Sequence, residues 1–464
     1  MIQLIATLVV VAGIVGLFFL DRDPEARTAK ALWIPVIWML LVCSRAVSEW
    51  ADLDPVADVA DRFREGSSLE ASIYGILIVA GLLALNRRAY KVASFFRLNT
   101  PLVLFLLYCA VSTMWSDYPF VGIKRWIKGA GTLVMVLVLL TDSDPVAATR
   151  RLFSRSAFLL LPVSVLLIEC FPKLGSTYDP WSKRTFYIGV TTQKNELGLT
   201  CLICGLGTLW SLIRAYEDRT LPHRVRHLIA HGVILATALW LLKKCDSMTS
   251  LSCLLIAGGV MLLMGQPWVR RQTSHVNTVV WGAVAVAIFA AFIDSSGALL
   301  GLLGRTSSLT GRTDVWKAVL SIHTNPLLGA GYESFWLGDR IEEVWRIVGF
   351  NNFAEAHNGY LEIYINLGWL GLIMLGVLFA SGYRNALTSL RIDPLTGRLK
   401  MAFFGAALIF NLSEAGFTMM GPMWIAFLVA IINVPPISQS QVYQQPFKIP
   451  SAPGVPQKQI RILQ

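Results

Sequence analysis

ELGLTCLICGLGTLWSLIR (residues 196–214), HLIAHGVILATALWLLK (227–243) and TSLSCLLIAGGVMLLMG (249–265) follow one another with short polar connections. A helix crossing the hydrocarbon core of a bilayer needs roughly 20 mostly apolar residues. Lipid offers the backbone no hydrogen-bond partners, so such runs must be helices that satisfy themselves. Further runs occur near 2–20, 31–48, 70–86, 99–115, 126–141, 152–170, 277–294, 359–380, 400–416 and 418–434, thirteen in all. The last two are interrupted by Gly416, Gly421 and Pro422, and could form one broken or re-entrant pair.

Composition agrees. The 464 residues are 55% hydrophobic and 15% charged, and the mean hydropathy is +0.58. Soluble domains of this total length would carry far more polar surface. The expected fold is therefore an all-α polytopic integral membrane protein with about 12–13 transmembrane helices. Residues 1–434 form a single membrane-embedded domain. One long extracytoplasmic loop, 295–358, is inserted in it, and a Pro-, Gln- and Ser-rich tail, 435–464, is expected to be disordered. The first run lacks a basic n-region and a small-residue cleavage site, and reads as a retained helix.

The net charge is +11. Its basic residues lie between apolar runs, where anionic head groups sit, and not on a soluble basic module, so the partner is the lipid bilayer and no nucleic acid is expected. The odd-numbered connections are basic and the second is acidic, with Asp52, Asp54, Asp58 and Asp61. This places the odd connections and the tail in the cytoplasm, and residues 295–358 outside. The outer connections still hold unexpected cations: Lys124, Arg125 and Lys128, then Lys173, Lys183, Arg184 and Lys194, then Lys243 and Lys244, then Arg305 and Arg312. The orientation rule does not require them; a site for an anionic ligand would.

Several histidines, cysteines and acids invite a metal or redox reading. Cys201 and Cys204 form a CxxC, but inside an apolar helix they read as packing residues. His223, His227 and His231 repeat every four residues on one helical face, yet they sit among Arg219, Arg224 and Arg226 at a basic cytoplasmic interface, without a carboxylate among them. Asp52 and Asp54 read as part of an acidic amphipathic segment. No metal is expected at any of these.

The outer loop is rich in motifs. Gly311-Arg312-Thr313 precedes Trp316, Asn-Pro-Leu-Leu-Gly-x-Gly-Tyr spans 325–332, and His357-Asn358 opens a helix that ends in Gly-Trp-Leu-Gly. GVTTQKNELG at 189–198 and WSDYPFVGIKRW at 115–126 precede them. In order and spacing these resemble the O-antigen ligase and polymerase family, in particular its exopolysaccharide-polymerase branch, over most of residues 100–420. The resemblance implies a fold like the integral-membrane glycosyltransferase C class. It also implies a metal-independent, cofactor-free transfer of a saccharide from polyprenyl diphosphate to an acceptor sugar, outside the bacterial inner membrane. A polymerase is favoured over an O-antigen ligase acting on lipid A core, and a polysaccharide co-polymerase is a further implied partner.

Under this reading His357 meets the acceptor hydroxyl, with Glu355 orienting or replacing it. The plainer account of His357 is a helix-entry residue beside an Asn358 cap. Arg312 is the first choice for the diphosphate, since guanidinium presents a planar fork of donors; Arg125, Arg184, Lys194, Lys243, Lys244 and Arg305 follow. Ion pairing of Arg312 with Asp314 or Glu333, or snorkelling of the others, is the plainer account. Glu414 stands in an apolar run and should face protein or water, pairing with an arginine of the site; otherwise it marks the outer interface between two short helices. Tyr332, Trp336 and Tyr360 are sugar platforms or core residues of the loop. The rival class is a lipid-saccharide flippase, which would show matched halves with broken helices, and a non-catalytic co-assembly protein is a further alternative.

Overall fold

The computed structural model describes residues 1–23, 28–51, 67–179, 184–295, 310–349 and 353–433. Sixteen helices of ten residues or more are described. They are α1 (Ile2–Leu20), α2 (Trp33–Val42), α3 (Ser68–Asn86), α4 (Ala89–Leu98), α5 (Thr100–Ser112), α6 (Pro119–Leu140), α7 (Pro145–Cys170) and α8 (Lys194–Glu217). Then come α9 (Arg224–Lys244), α10 (Met248–Leu263), α11 (Thr273–Ser295), α12 (Thr310–Ser321), α13 (Asp339–Val348), α14 (Gly359–Ile392), α15 (Pro394–Phe410) and α16 (Pro422–Ile431). A small hairpin of β1 (Ser176–Asp179) and β2 (Arg184–Tyr187) follows α7; nothing in its residue pattern announced it.

Each of the thirteen apolar runs contains a helix. Among the described residues, six helices are long and apolar enough to cross a membrane: α1, α3, α7, α8, α9 and α14. The bent pair α4–α5 makes a seventh, and α2, α10, α11 and α16 supply shorter apolar helices. The chain is an all-helical, multi-pass membrane protein. Some boundaries differ from the expectation. α6 begins at Pro119, so Lys124, Arg125 and Lys128 stand within a helix and not in a loop. α15 ends at Phe410, which places Glu414 in the turn before α16 and not within a span.

Polar side chains pair according to the side on which their connections lie. Arg88–Asp142, Arg150–Asp21, Arg150–Asp23 and Arg398–Glu217 join odd connections. Lys244–Glu169, Arg340–Asp117 and Arg312–Glu414 join even ones. This two-ended sorting is what alternating membrane crossings produce. At the odd end, His227 Nδ1 and His231 Nε2 lie 2.9 and 3.0 Å from the same Asp21 oxygen. The carboxylate missing from the sequence reading thus arrives from the end of α1. Arg150 approaches that same oxygen at 3.7 Å, so the cluster is an ion-paired clasp of α1, α7 and α9. The cysteine pair behaves as expected, with Cys201 and Cys204 wholly buried.

Among its described residues, the connection between α11 and α14 forms a structured cap. α12 and α13 share a small apolar core, built on Val315, Val319, Ile341, Val344, Phe335 and Trp336. Its 325–331 motif also braces a break in α14. There Gly368 takes φ +66°, which leaves backbone groups unpaired. Ala330 and Gly331 donate to the carbonyls of Ile365 and Asn366, while Trp369 and Leu370 donate to those of Pro326 and Leu327. Asn325 Oδ1 in turn accepts from Leu327 and Leu328 N–H. The Gly-Trp-Leu-Gly sequence therefore kinks α14, which continues to Ile392 and does not end there. The last residues of the chain, 434–464, and Asp52, Asp54 and Arg305 lie outside the described residues.

Candidate active site

α14 starts where the cap re-enters the bundle. Asn358 caps it, its Oδ1 accepting from Tyr360 and Leu361 N–H at 3.0 Å. The α15–α16 turn docks on this start: Gly359 N–H donates to the Asn411 and Glu414 carbonyls, each at 3.0 Å. A Cβ on Gly359 would meet Asn411 Oδ1 at 1.8 Å, so only glycine lets the turn approach. His357, just before the cap, is held at φ +49°. For a residue with a Cβ that conformation costs about 1–3 kcal/mol and persists only where neighbours enforce it.

Here the neighbours are two carboxylates. His357 Nδ1 lies 3.0 Å from Glu355 Oε1 and 3.2 Å from Glu414 Oε2. Glu414 also accepts from Arg312 Nη2 at 2.7 Å and from Asn195 Nδ2 at 3.0 Å, and Arg312 Nη1 donates to the Ser413 carbonyl at 2.7 Å. Four separate segments thus meet at one carboxylate. The hydrogen bond to Glu414, with the Glu355 carboxylate close by, favours the proton on Nδ1 and leaves Nε2 as the acceptor nitrogen. Burial lowers the affinity of His357 for a proton, but the hydrogen bond to Glu414 and the charges of Glu355 and Glu414 outweigh it, so its pKa lies above the ordinary value. Burial pushes the Glu355 carboxyl up, against the pull of His357 and Arg312.

Glu355 lines a cavity of about 190 Å³ whose other walls include Arg125, Tyr332, Glu333, Glu362 and Phe417. Arg125 donates to the Glu333 carbonyl, and Tyr332 OH donates to Glu333 Oε1 at 3.1 Å. Glu333 is a second residue at positive φ, +45°. Burial raises its carboxyl pKa, and Arg125 opposes that rise. Glu362 accepts from Ala356 N–H at 2.6 Å and from Trp336 Nε1, so it fixes the backbone that leads into His357.

The residues singled out in the sequence separate into groups. Arg312, Glu355, His357 and Glu414 converge, and Arg125 stands on the wall of the adjoining cavity. The partner of Arg312 is Glu414, not Asp314 or Glu333. Three other cations gather at the hairpin instead. Arg184 is exposed on β2, Lys194 Nζ lies 4.2 Å from the Phe186 ring, and Lys244 pairs with Glu169 at 3.0 Å. Lys243 is exposed at the end of α9. Tyr332 and Trp336 are nearly buried, and Tyr360 packs against Phe379 and Phe417, so all three serve the core even where they edge the cavity. Asn195 escaped the sequence reading although it follows Lys194 in the same motif; Glu333 and Glu362 carried no signal beyond being acids in apolar surroundings.

A metal reading can be set beside this geometry. Donor atoms of Glu355, His357 and Glu414 lie within 4.8 Å of one another. Arg312 and Asn195 already engage Glu414, so the carboxylate is satisfied by donors from the chain itself.

Comparison with known proteins bears on the same elements. Residues 204–376 match the O-Antigen ligase family model. That segment runs from α8 through the cap to α14, and holds Arg312, Glu355 and His357. The chain is also similar to the exopolysaccharide production protein ExoQ of Rhizobium meliloti (strain 1021). The two are 25% identical over 321 residues, covering 66% of this chain and 69% of the relative. The likeness to O-antigen ligases and polymerases read from the motifs is thus supported twice, and it marks a membrane protein of polysaccharide ligation or polymerisation.

Proposed function

We propose that the chain joins a polyprenyl-diphosphate-linked saccharide to an acceptor sugar at the outer face of the bacterial inner membrane, as an exopolysaccharide polymerase. The observation that carries this reading is the imidazole of His357, whose Nδ1 is fixed by Glu355 and Glu414 beside a cavity. The acceptor hydroxyl gives its proton to His357 Nε2 as its oxygen attacks the anomeric carbon. The bond from that carbon to the phosphate oxygen breaks, and the lipid diphosphate leaves with the electron pair. General-base help of this kind contributes typically about 100- to 10,000-fold.

The leaving group must be neutralised; among the described residues Arg312, paired with Glu414, and Arg125, on the cavity wall, are placed to do so. A diphosphate reaching Arg312 competes with Glu414, which then turns fully to His357 and strengthens its hold on Nδ1–H. Lys194, Arg184 and Lys244 flank the hairpin, where they suit the lipid head-group region better than the reacting bond. The transfer needs no metal in this scheme.

The test is reconstitution. The full chain in proteoliposomes, given a polyprenyl-diphosphate saccharide, lengthens or transfers it, and the product keeps forming after dialysis against EDTA. Movement of the lipid-linked saccharide across the bilayer without joining would identify a flippase instead. Loss of joining on chelation, restored by a divalent cation, would turn Glu355, His357 and Glu414 into a metal centre.

A further inference from the structure

The walls of the cavity beside Glu355 describe the sugar that would fill it; the inference rests on the transferase reading. Its volume, about 190 Å³, matches roughly six waters, the size of one pyranose ring with its hydroxyls. Three acids, Glu333, Glu355 and Glu362, are among its lining residues, with one arginine, Arg125. Arg125 is drawn to the Glu333 carbonyl. Glu362 is occupied by Ala356 N–H, Trp336 Nε1 and the Asn366 amide. Glu355 Oε1 already lies 3.0 Å from His357 Nδ1, so Glu355 and Glu333 each keep part of their acceptor capacity for a guest. An ionised carboxylate offers about four acceptor sites and no donor, and Tyr332 fills one on Glu333. Ile363 and Phe417 supply apolar wall for the C–H face of a ring.

We propose that this cavity is the acceptor subsite and that it selects an uncharged sugar. A terminal hexopyranose donates its hydroxyls to Glu333 and Glu355, while a ring bearing a carboxylate is turned away. The selection is electrostatic: a uronic acid brings a further anion to a space where carboxyls already outnumber cations.

The experiment is binding, read without turnover. The full-length protein in lipid nanodiscs is titrated with a methyl hexopyranoside and with the corresponding methyl hexuronide at neutral pH, followed by saturation-transfer NMR. The hexoside should bind at least about ten-fold more tightly, the scale of one or two hydrogen bonds to charged groups. Glu333→Gln and Glu355→Gln, each keeping the side-chain volume, should narrow that gap. Equal or tighter binding of the hexuronide by the wild type overturns the proposal, as does the absence of binding by either glycoside. Hexoside binding without any transfer would leave the subsite standing and defeat the transferase reading.

Discussion

At the residue scale the question is how an imidazole at the mouth of a membrane protein is tuned. Glu355 and Glu414 both lie within 3.2 Å of His357 Nδ1, and their charge lifts its pKa in spite of burial. Proton release from a base whose folded pKa is raised must occur above the ordinary histidine value of about 6.5. The rate of transfer per unit acceptor should therefore rise with pH and level off only above that value. Glu414→Gln removes one of the two charges, so the midpoint should move down; an unchanged midpoint would show that Glu414 does not act on the imidazole. The same pairing has a linkage consequence. The stability it gives the fold is complete below the unfolded histidine pKa and fades as pH rises through the folded one. Arg312 is tied into this set by Glu414, whose side chain is only 7% exposed. Cutting one partner from a buried pair costs about 3–5 kcal/mol, so an alanine at 312 would confound activity with folding, and Arg312→Lys is the cleaner probe.

At the element scale the break in α14 decides where His357 stands. Gly368 lies at φ +66°, and a Cβ there would meet the Leu327 carbonyl at 2.2 Å. Gly368→Ala should cost at least about 1–3 kcal/mol from backbone strain alone, and more from the clash. The readout is a lower melting temperature in detergent and reduced transfer together. A variant as stable as the wild type would mean that the motif does not brace the kink. This element also shows what a sequence discloses. Asn358 as a helix cap, His357 at the point of re-entry and an arginine partner for Glu414 were all legible, because each rests on local spacing or on the cost of an acid among apolar residues. The start of α6 was not legible: Lys124, Arg125 and Lys128 look like a loop, although long basic side chains can be carried on a helix whose far end is apolar. Asn195 was passed over for its charged neighbour, since nothing local tells which of two adjacent residues faces inward. The β-hairpin was too short, at four residues a strand, to stand out.

At the scale of the whole molecule the ion pairs sort into two ends, as alternating crossings demand. The basic odd connections predict that their end faces the cytoplasm. A cysteine placed at the exposed Arg346, on the cap, should react with a membrane-impermeant thiol reagent in intact spheroplasts, whereas one at the exposed Arg219 should react only after permeabilisation. The reverse pattern would put the cap in the cytoplasm, where an outer-face polymerase could not work. The orientation matters because the whole molecule is arranged to bring four distant segments to His357. Steady-state transfer by His357→Ala, in proteoliposomes containing the same amount of folded protein as the wild type, tests this most directly. A loss of about 100- to 10,000-fold with undiminished binding of the lipid-linked donor is expected for a general base; transfer at the wild-type rate would contradict the assignment.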